Sequence, residues 1–138
     1  MKKILTCILA TLGLTTTACG QHNFENTDVQ GFSELMTDSN VVVLDVRTAA
    51  EFADGHIKGA INIDQEQNDF VEKAKATLPI DKMIAVYCRS GRRSANAAGR
   101  LADVGYKCVN LKGGIIAWKE ANMPIITNDN KADNSNKR

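Results

Sequence analysis

Met83 Ile84 Ala85 Val86 Tyr87 runs directly into Cys88 Arg89 Ser90 Gly91 Arg92 Arg93 Ser94, and that junction decides how the chain is read. Five consecutive apolar side chains leave no wet face, which suits a strand covered on both sides in a parallel sheet. The polar, glycine-containing stretch after it leads into Ala97, Leu101 and Val104, a helical face that Gly105 ends. A strand that passes through a loop into a helix is the repeating unit of a parallel α/β sheet. Further out, Val41 Val42 Val43 Leu44 Asp45 Val46 is another β-branched run and is expected to be central, while Ala60 to Ile63 and Lys107 to Leu111 are shorter strand candidates. Helical spacing joins Phe32, Leu35 and Met36, and again Phe70, Val71, Ala74 and Leu78 before Pro79. Thr48 and Glu51 stand at capping-box spacing ahead of Gly55, and a last helix runs from about Gly114 through Trp118 until Asn122 and Pro124 close it. The expected fold is a single small α/β domain with a mainly parallel central sheet flanked by helices.

Composition fits that reading. The 138 residues are 43% hydrophobic and 24% charged, near globular averages and enough for one domain. The 17 Lys plus Arg against 16 Asp plus Glu leave a net charge of +1, with no excess to neutralise phosphates, so nucleic acid is set aside as a partner.

The two ends read differently from the body. Lys2 and Lys3, the apolar Ile4 to Leu14 and the small residues before Cys19 have the form of an export signal over residues 1–18. The apolar run is well short of the roughly 20 residues that span a bilayer. It resembles a bacterial lipoprotein signal, with Cys19 as the lipidated residue, although Thr16 stands where such signals usually carry leucine; ordinary cleavage near Ala18 is the alternative. Residues 19–28 are then a polar spacer, 29–126 the folded domain, and 127–138 a disordered tail whose one apolar residue is Ala132. The expected location is the periplasm or cell envelope, with membrane contact only through a lipid at Cys19. Cys7 leaves with the signal, so Cys88 and Cys108 remain in the body, too few for a disulfide framework; an oxidising compartment would permit them to pair, but Cys88 is expected to serve as a free thiol instead.

Cys88 starts a loop that ends at a helix N-terminus. Inward-turned backbone N–H groups, the bend allowed by Gly91 and the helix dipole together make an anion cradle. Arg89, Arg92 and Arg93 add positive charge, which favours the thiolate and draws anionic substrates. The Cys88 pKa is therefore expected below the free value of about 8.5. Ser94 has the position and chemistry of an N-cap.

At this point the chain resembles the rhodanese-like family, from about Val29 to Pro124. Four pieces carry the likeness: Leu44 Asp45 Val46 Arg47 with Glu51 Phe52; Gly55 to Ile63; the Cys88 loop; and Leu111 Lys112 Gly113 Gly114 with Trp118. Small exported single-domain thiosulfate sulfurtransferases of that family have a loop of the form Cys, two residues, Gly, Arg, one residue, Ser, matched here by Cys88, Gly91, Arg92 and Ser94. The resemblance implies a Cys88 nucleophile that takes sulfane sulfur from a small anionic donor such as thiosulfate and passes it to cyanide or a thiol. It implies a substrate-binding loop of Arg89, Ser90, Gly91, Arg92, Arg93 and Ser94, with the two later arginines on sulfite-like oxygens. Asp45 and Arg47 are expected to support the loop, with no cofactor, no metal and a monomeric chain.

Glu51 and His56 look like an acid and a base, but an ionised thiol needs no general base, so both are read as cap and turn residues. Trp118 is read as core. Two other functions remain open: a sulfur carrier that is loaded without turning over, and a phosphatase or arsenate reductase. The latter expects a Cys-x5-Arg spacing, whereas Arg93 follows Cys88 after four residues and position 94 is serine.

Overall fold

The computed structural model of the protein describes residues 23–127. The expected signal, Cys19 and the tail after Thr127 lie outside the described residues. The elements in chain order are β1 (Glu25–Thr27), α1 (Val29–Leu35), β2 (Val41–Asp45), α2 (Ala49–Asp54), β3 (Ile61–Asn62), α3 (Phe70–Thr77), β4 (Met83–Tyr87), α4 (Arg92–Asp103), β5 (Lys107–Leu111) and α5 (Gly114–Glu120). The five strands form one sheet in the order β1-β5-β4-β2-β3, and every pair in it is parallel. β4, the strand that leads into Cys88, is therefore the middle strand, with β2 next to it.

Strand side chains alternate between faces, and the core divides accordingly. Leu44, Val46, Ile84, Val86 and Cys88 pack with Phe70 and Ala74 of α3 and Ala97, Ala98 and Leu101 of α4. Val43, Ala85, Tyr87 and Leu111 pack on the other face with Phe32 of α1 and Ile115 and Trp118 of α5. Phe32 meets the Tyr87 and Trp118 rings edge-on, with centroids 6.2 Å and 6.0 Å apart. Trp118 is a core residue, and its indole N–H donates to Pro124 O at 2.9 Å. Cys88 is thus the last member of an apolar row, one residue beyond the strand.

One expectation needs correction. The polar stretch taken as a spacer up to residue 28 contains β1, which pairs with β5 through Glu25, Asn26 and Thr27, while Phe24 packs against the core. A three-residue edge strand contributes backbone hydrogen bonds rather than apolar side chains, so hydropathy carries no sign of it. The register also agrees with the expectation that Cys88 and Cys108 stay unpaired. Ile84 is the register partner of Cys108, and Cys88 lies four residues further along β4, about 13 Å at the usual rise of a strand. That is beyond the roughly 7 Å a disulfide can bridge, and both thiols are free.

Candidate active site

Gly91 opens the cradle. Its φ of 104° puts it in the left-handed region as N-cap of α4, and its N–H donates to Cys88 Sγ at 3.1 Å. A Cβ there would come within 3.2 Å of Gly113 N and 3.3 Å of Leu111 O, so the loop lies against the turn that precedes α5. That turn holds the loop from behind: Ile115 N donates to Cys88 O at 2.9 Å and Ile116 N to Arg89 O at 3.1 Å. In a trans peptide the N–H points opposite to the C=O. Drawing the Arg89 carbonyl toward α5 therefore turns the Ser90 N–H the other way, toward the sulfur.

Burial alone would push the Cys88 thiol up. The Ser94 hydroxyl and the N–H groups of Ser94, Gly91 and Ser90 outweigh it, and the thiol ionises below its ordinary value. Of the two causes expected for the lowering, the donor cradle and the guanidinium charge, the hydrogen-bond donors lead. Cys108, on the same face of the sheet but without such donors, is pushed by burial up to about 12.

The loop residues divide by role. Arg93 is committed elsewhere: its Nη1 and Nη2 donate to the two Glu51 carboxylate oxygens at 3.0 Å each. Those bonds hold the Glu51 carboxyl down at about 2, against the opposing effect of burial. Glu51 also closes the capping box with Thr48 at the start of α2, so the pair ties α2 to α4, and Arg93 is a brace rather than a free ligand for oxygens. Arg89 and Arg92 are exposed and have no partner among the described residues. Ser94 is not the N-cap, because α4 begins two residues before it. It is fully buried on the third helical position with Oγ 3.4 Å from Cys88 Sγ, facing the sulfur instead of a substrate.

Asp45 and Arg47 lie under the strand ends. Arg47 Nη2 meets Asp45 Oδ2 at 2.7 Å and donates to Gly55 O at 2.7 Å. The guanidinium also lies 5.6 Å from the centre of the Tyr87 ring, whose hydroxyl accepts from Ile57 N at 3.0 Å. This buried cluster fixes the segment from α2 to Ile57 against β4 on the face opposite Cys88. His56 stacks on Phe52 with centroids 3.8 Å apart and exchanges backbone hydrogen bonds with Ile126 in an isolated antiparallel bridge, so it lies in a bridge rather than in the expected turn.

One residue escaped the sequence reading altogether. Asn110, buried in β5, accepts from the Ser94 hydroxyl through Oδ1 and donates through Nδ2 to Asn26 Oδ1 at 3.0 Å and Gly91 O at 3.3 Å. Its partners are 84, 19 and 16 residues away in the chain, and only the alignment of β1, β5 and α4 brings them together.

What is built here is a thiol whose ionised form is favoured by aimed donors at the carboxyl end of the central strand, beside two guanidinium groups without partners among the described residues. Known proteins share the frame. The chain is 36% identical over 101 residues to a sulfurtransferase from Allochromatium vinosum, across 72% of this chain and 92% of that protein. It is 33% identical over 102 residues to the thiosulfate sulfurtransferase GlpE of Shewanella oneidensis, across 72% of this chain and 97% of that one. The crystal structure of a rhodanese-related protein from Thermoplasma volcanium matches with a TM-score of 0.67 at 34% identity, covering 75% of this chain and 98% of its own. Residues 28–121 match the rhodanese-like domain, and with sulfurtransferases among its relatives the chain belongs to the rhodanese-like family.

Proposed function

We propose that the protein is a sulfurtransferase that carries sulfane sulfur on Cys88, with thiosulfate as donor and cyanide or a thiol as acceptor. The observation that supports this most directly is the convergence of the Gly91 N–H and the Ser94 hydroxyl on Cys88 Sγ, which favours an ionised nucleophile. The thiolate attacks the outer sulfur of thiosulfate. A bond forms between Cys88 Sγ and that sulfur, the sulfur–sulfur bond of thiosulfate breaks, and sulfite leaves with the electron pair. The terminal sulfur of the resulting persulfide carries the negative charge, which loop N–H groups are placed to stabilise. Cyanide or a thiolate then attacks that sulfur, and the Cys88 thiolate is returned. Arg89 and Arg92, without partners among the described residues, are suited to draw in the anionic donor and hold its oxygens.

We propose that the protein acts as a monomer. We further propose export directed by residues 1–18 and lipid anchoring at Cys19 in the cell envelope. The test of the central proposal is intact mass spectrometry of the reduced protein with thiosulfate, then with cyanide. A gain of one sulfur atom at Cys88 that cyanide removes, repeated over many turnovers, is expected. Loading without turnover would point to a carrier, and no loading by any sulfane donor would sink the proposal.

A further inference from the structure

We propose that Asn110 is a positioning residue that sets the ionisation of Cys88 by competing with the sulfur for the Ser94 proton. The inference rests on Cys88 as the reacting group, and its geometry is short-range. Ser94 Oγ carries one hydrogen and has two acceptors in reach, Cys88 Sγ at 3.4 Å and Asn110 Oδ1. Asn110 cannot turn freely to relieve the competition. Its Nδ2 donates to Asn26 Oδ1 and to Gly91 O, which keeps Oδ1 aimed at Ser94.

The two charge states of the sulfur use this arrangement differently. In the thiol, S–H donates to Ser94 Oγ while Ser94 donates to Asn110, and every buried group is satisfied. When the thiol proton leaves, the Ser94 hydroxyl rotates toward the thiolate and the buried Asn110 Oδ1 loses its donor. A buried acceptor without a partner is costly, so Asn110 opposes ionisation through Ser94. In the persulfide the charge moves to the outer sulfur, Sγ no longer needs the Ser94 proton, and the hydroxyl returns to Asn110. The hydroxyl thus changes partner in each half of the cycle. Asn110 keeps the thiolate from being over-stabilised and favours the sulfur-loaded state. The importance of the Ser94 donor to the low Cys88 pKa agrees with this. The charged group that acts on the sulfur is Arg93, itself paired with Glu51, while Arg89 and Arg92 stand exposed on the same loop; among the described residues none of the three guanidinium groups hydrogen-bonds the Asn110 or Ser94 side chain.

The test follows the Cys88 thiolate by its ultraviolet absorbance against pH in the whole protein, as a difference from Cys88→Ser, and needs no sulfur donor. Asn110→Leu, close in shape, is expected to move the midpoint down, with an ionisation constant about threefold or more larger. Asn110→Asp is expected to move it up. In a Ser94→Ala background the Asn110→Leu shift is expected to vanish, which a purely packing role for Asn110 does not predict. Asn26→Ala, at an exposed edge position, loosens the amide without emptying the core and is expected to shift the midpoint in the same direction as Asn110→Leu, by less. An upward shift in Asn110→Leu, a shift that persists without the Ser94 hydroxyl, or no shift in either Asn110→Leu or Asn26→Ala overturns the proposal. Sulfur transfer measured alongside is a separate readout, so its absence would count against the sulfurtransferase reading and not against this one.

Discussion

Gly114→Ala offers a severe test of how the loop is held. Gly114 has φ of 59°, and a Cβ on it would lie 2.7 Å from Cys88 O and collide with the Arg89 carbonyl. Ordinary contact begins at 3.4 Å, so the Cys88 carbonyl would have to retreat by about 0.7 Å, and what stands in the way is backbone rather than a side chain that can swing aside. Gly59→Ala is the matched control: its φ is 81°, but nothing lies within 4 Å of the added carbon. The control carries left-handed strain alone, about 1–2 kcal/mol. Gly114→Ala adds overpacking of about 1–3 kcal/mol and weakens the Ile115 and Ile116 hydrogen bonds to the loop, for a total near 3–4 kcal/mol. Because those bonds aim the Ser90 N–H, the rate of persulfide formation by the folded variant should fall on the order of a hundredfold, the usual consequence of misplacing a reacting group by about 1 Å. Urea unfolding gives the first quantity and single-turnover mass spectrometry the second. If Gly114→Ala matched Gly59→Ala in both, the account of the α5 turn as a clamp on the loop would be wrong.

Other outcomes follow from the same geometry. Arg47→Met leaves the Asp45 carboxylate buried without its partner and should cost about 3–5 kcal/mol in urea unfolding, with Asp45→Asn in the same chain recovering part of it. The Glu51 carboxyl titrates at about 2 in the fold, foremost because of Arg93, and at about 4.3 when unfolded. Between those values the unfolded chain binds more protons, so this contribution is present above about pH 4.3 and is lost as pH falls toward 2. Its size is at most about 1 kcal/mol because both side chains are partly exposed. Unfolding curves of the protein and of Glu51→Gln should therefore converge at the acid end and separate as pH rises. With its thiol pushed up to about 12, Cys108 should resist alkylation near neutral pH while Cys88 is modified, as peptide mapping after brief iodoacetamide treatment would reveal; equal labelling of the two contradicts the donor-based account of Cys88.

The parts of the fold legible in the sequence were those with local causes. The runs 41–46 and 83–87 were apolar on both faces because β2 and β4 are covered on both faces, and the Thr48 and Glu51 spacing made its capping box as written. The Cys88 loop was legible because strand, glycine and helix follow one another directly. Illegible were features joined across the chain. Arg93 looked like a free cation until Glu51, 42 residues earlier, met it. Ser94 looked like a cap because serine before a helical pattern usually is one, but Gly91 ended the strand-to-helix turn sooner and carried Ser94 inside the first turn. Asn110 gave no signal, since an asparagine one residue before the end of an apolar strand has many uses and its meaning here depends on Asn26 and Ser94 from other elements.

The donors aimed at Cys88 are a hydroxyl and backbone amides; the sulfur and the Ser94 hydroxyl 3.4 Å from it are buried, and the Gly91 N–H at 3.1 Å is partly so. Arg89 and Arg92 stand in solvent. Dissolved ions therefore reach the two halves of the site unequally, since charges in water are screened over a Debye length of about 8 Å at physiological ionic strength and buried dipoles hardly at all. Raising ionic strength should weaken the capture of an anionic donor while leaving the reactivity of the bound, ionised sulfur almost untouched. A protein built this way keeps its chemistry constant in a salty or dilute medium and lets only its appetite for substrate vary.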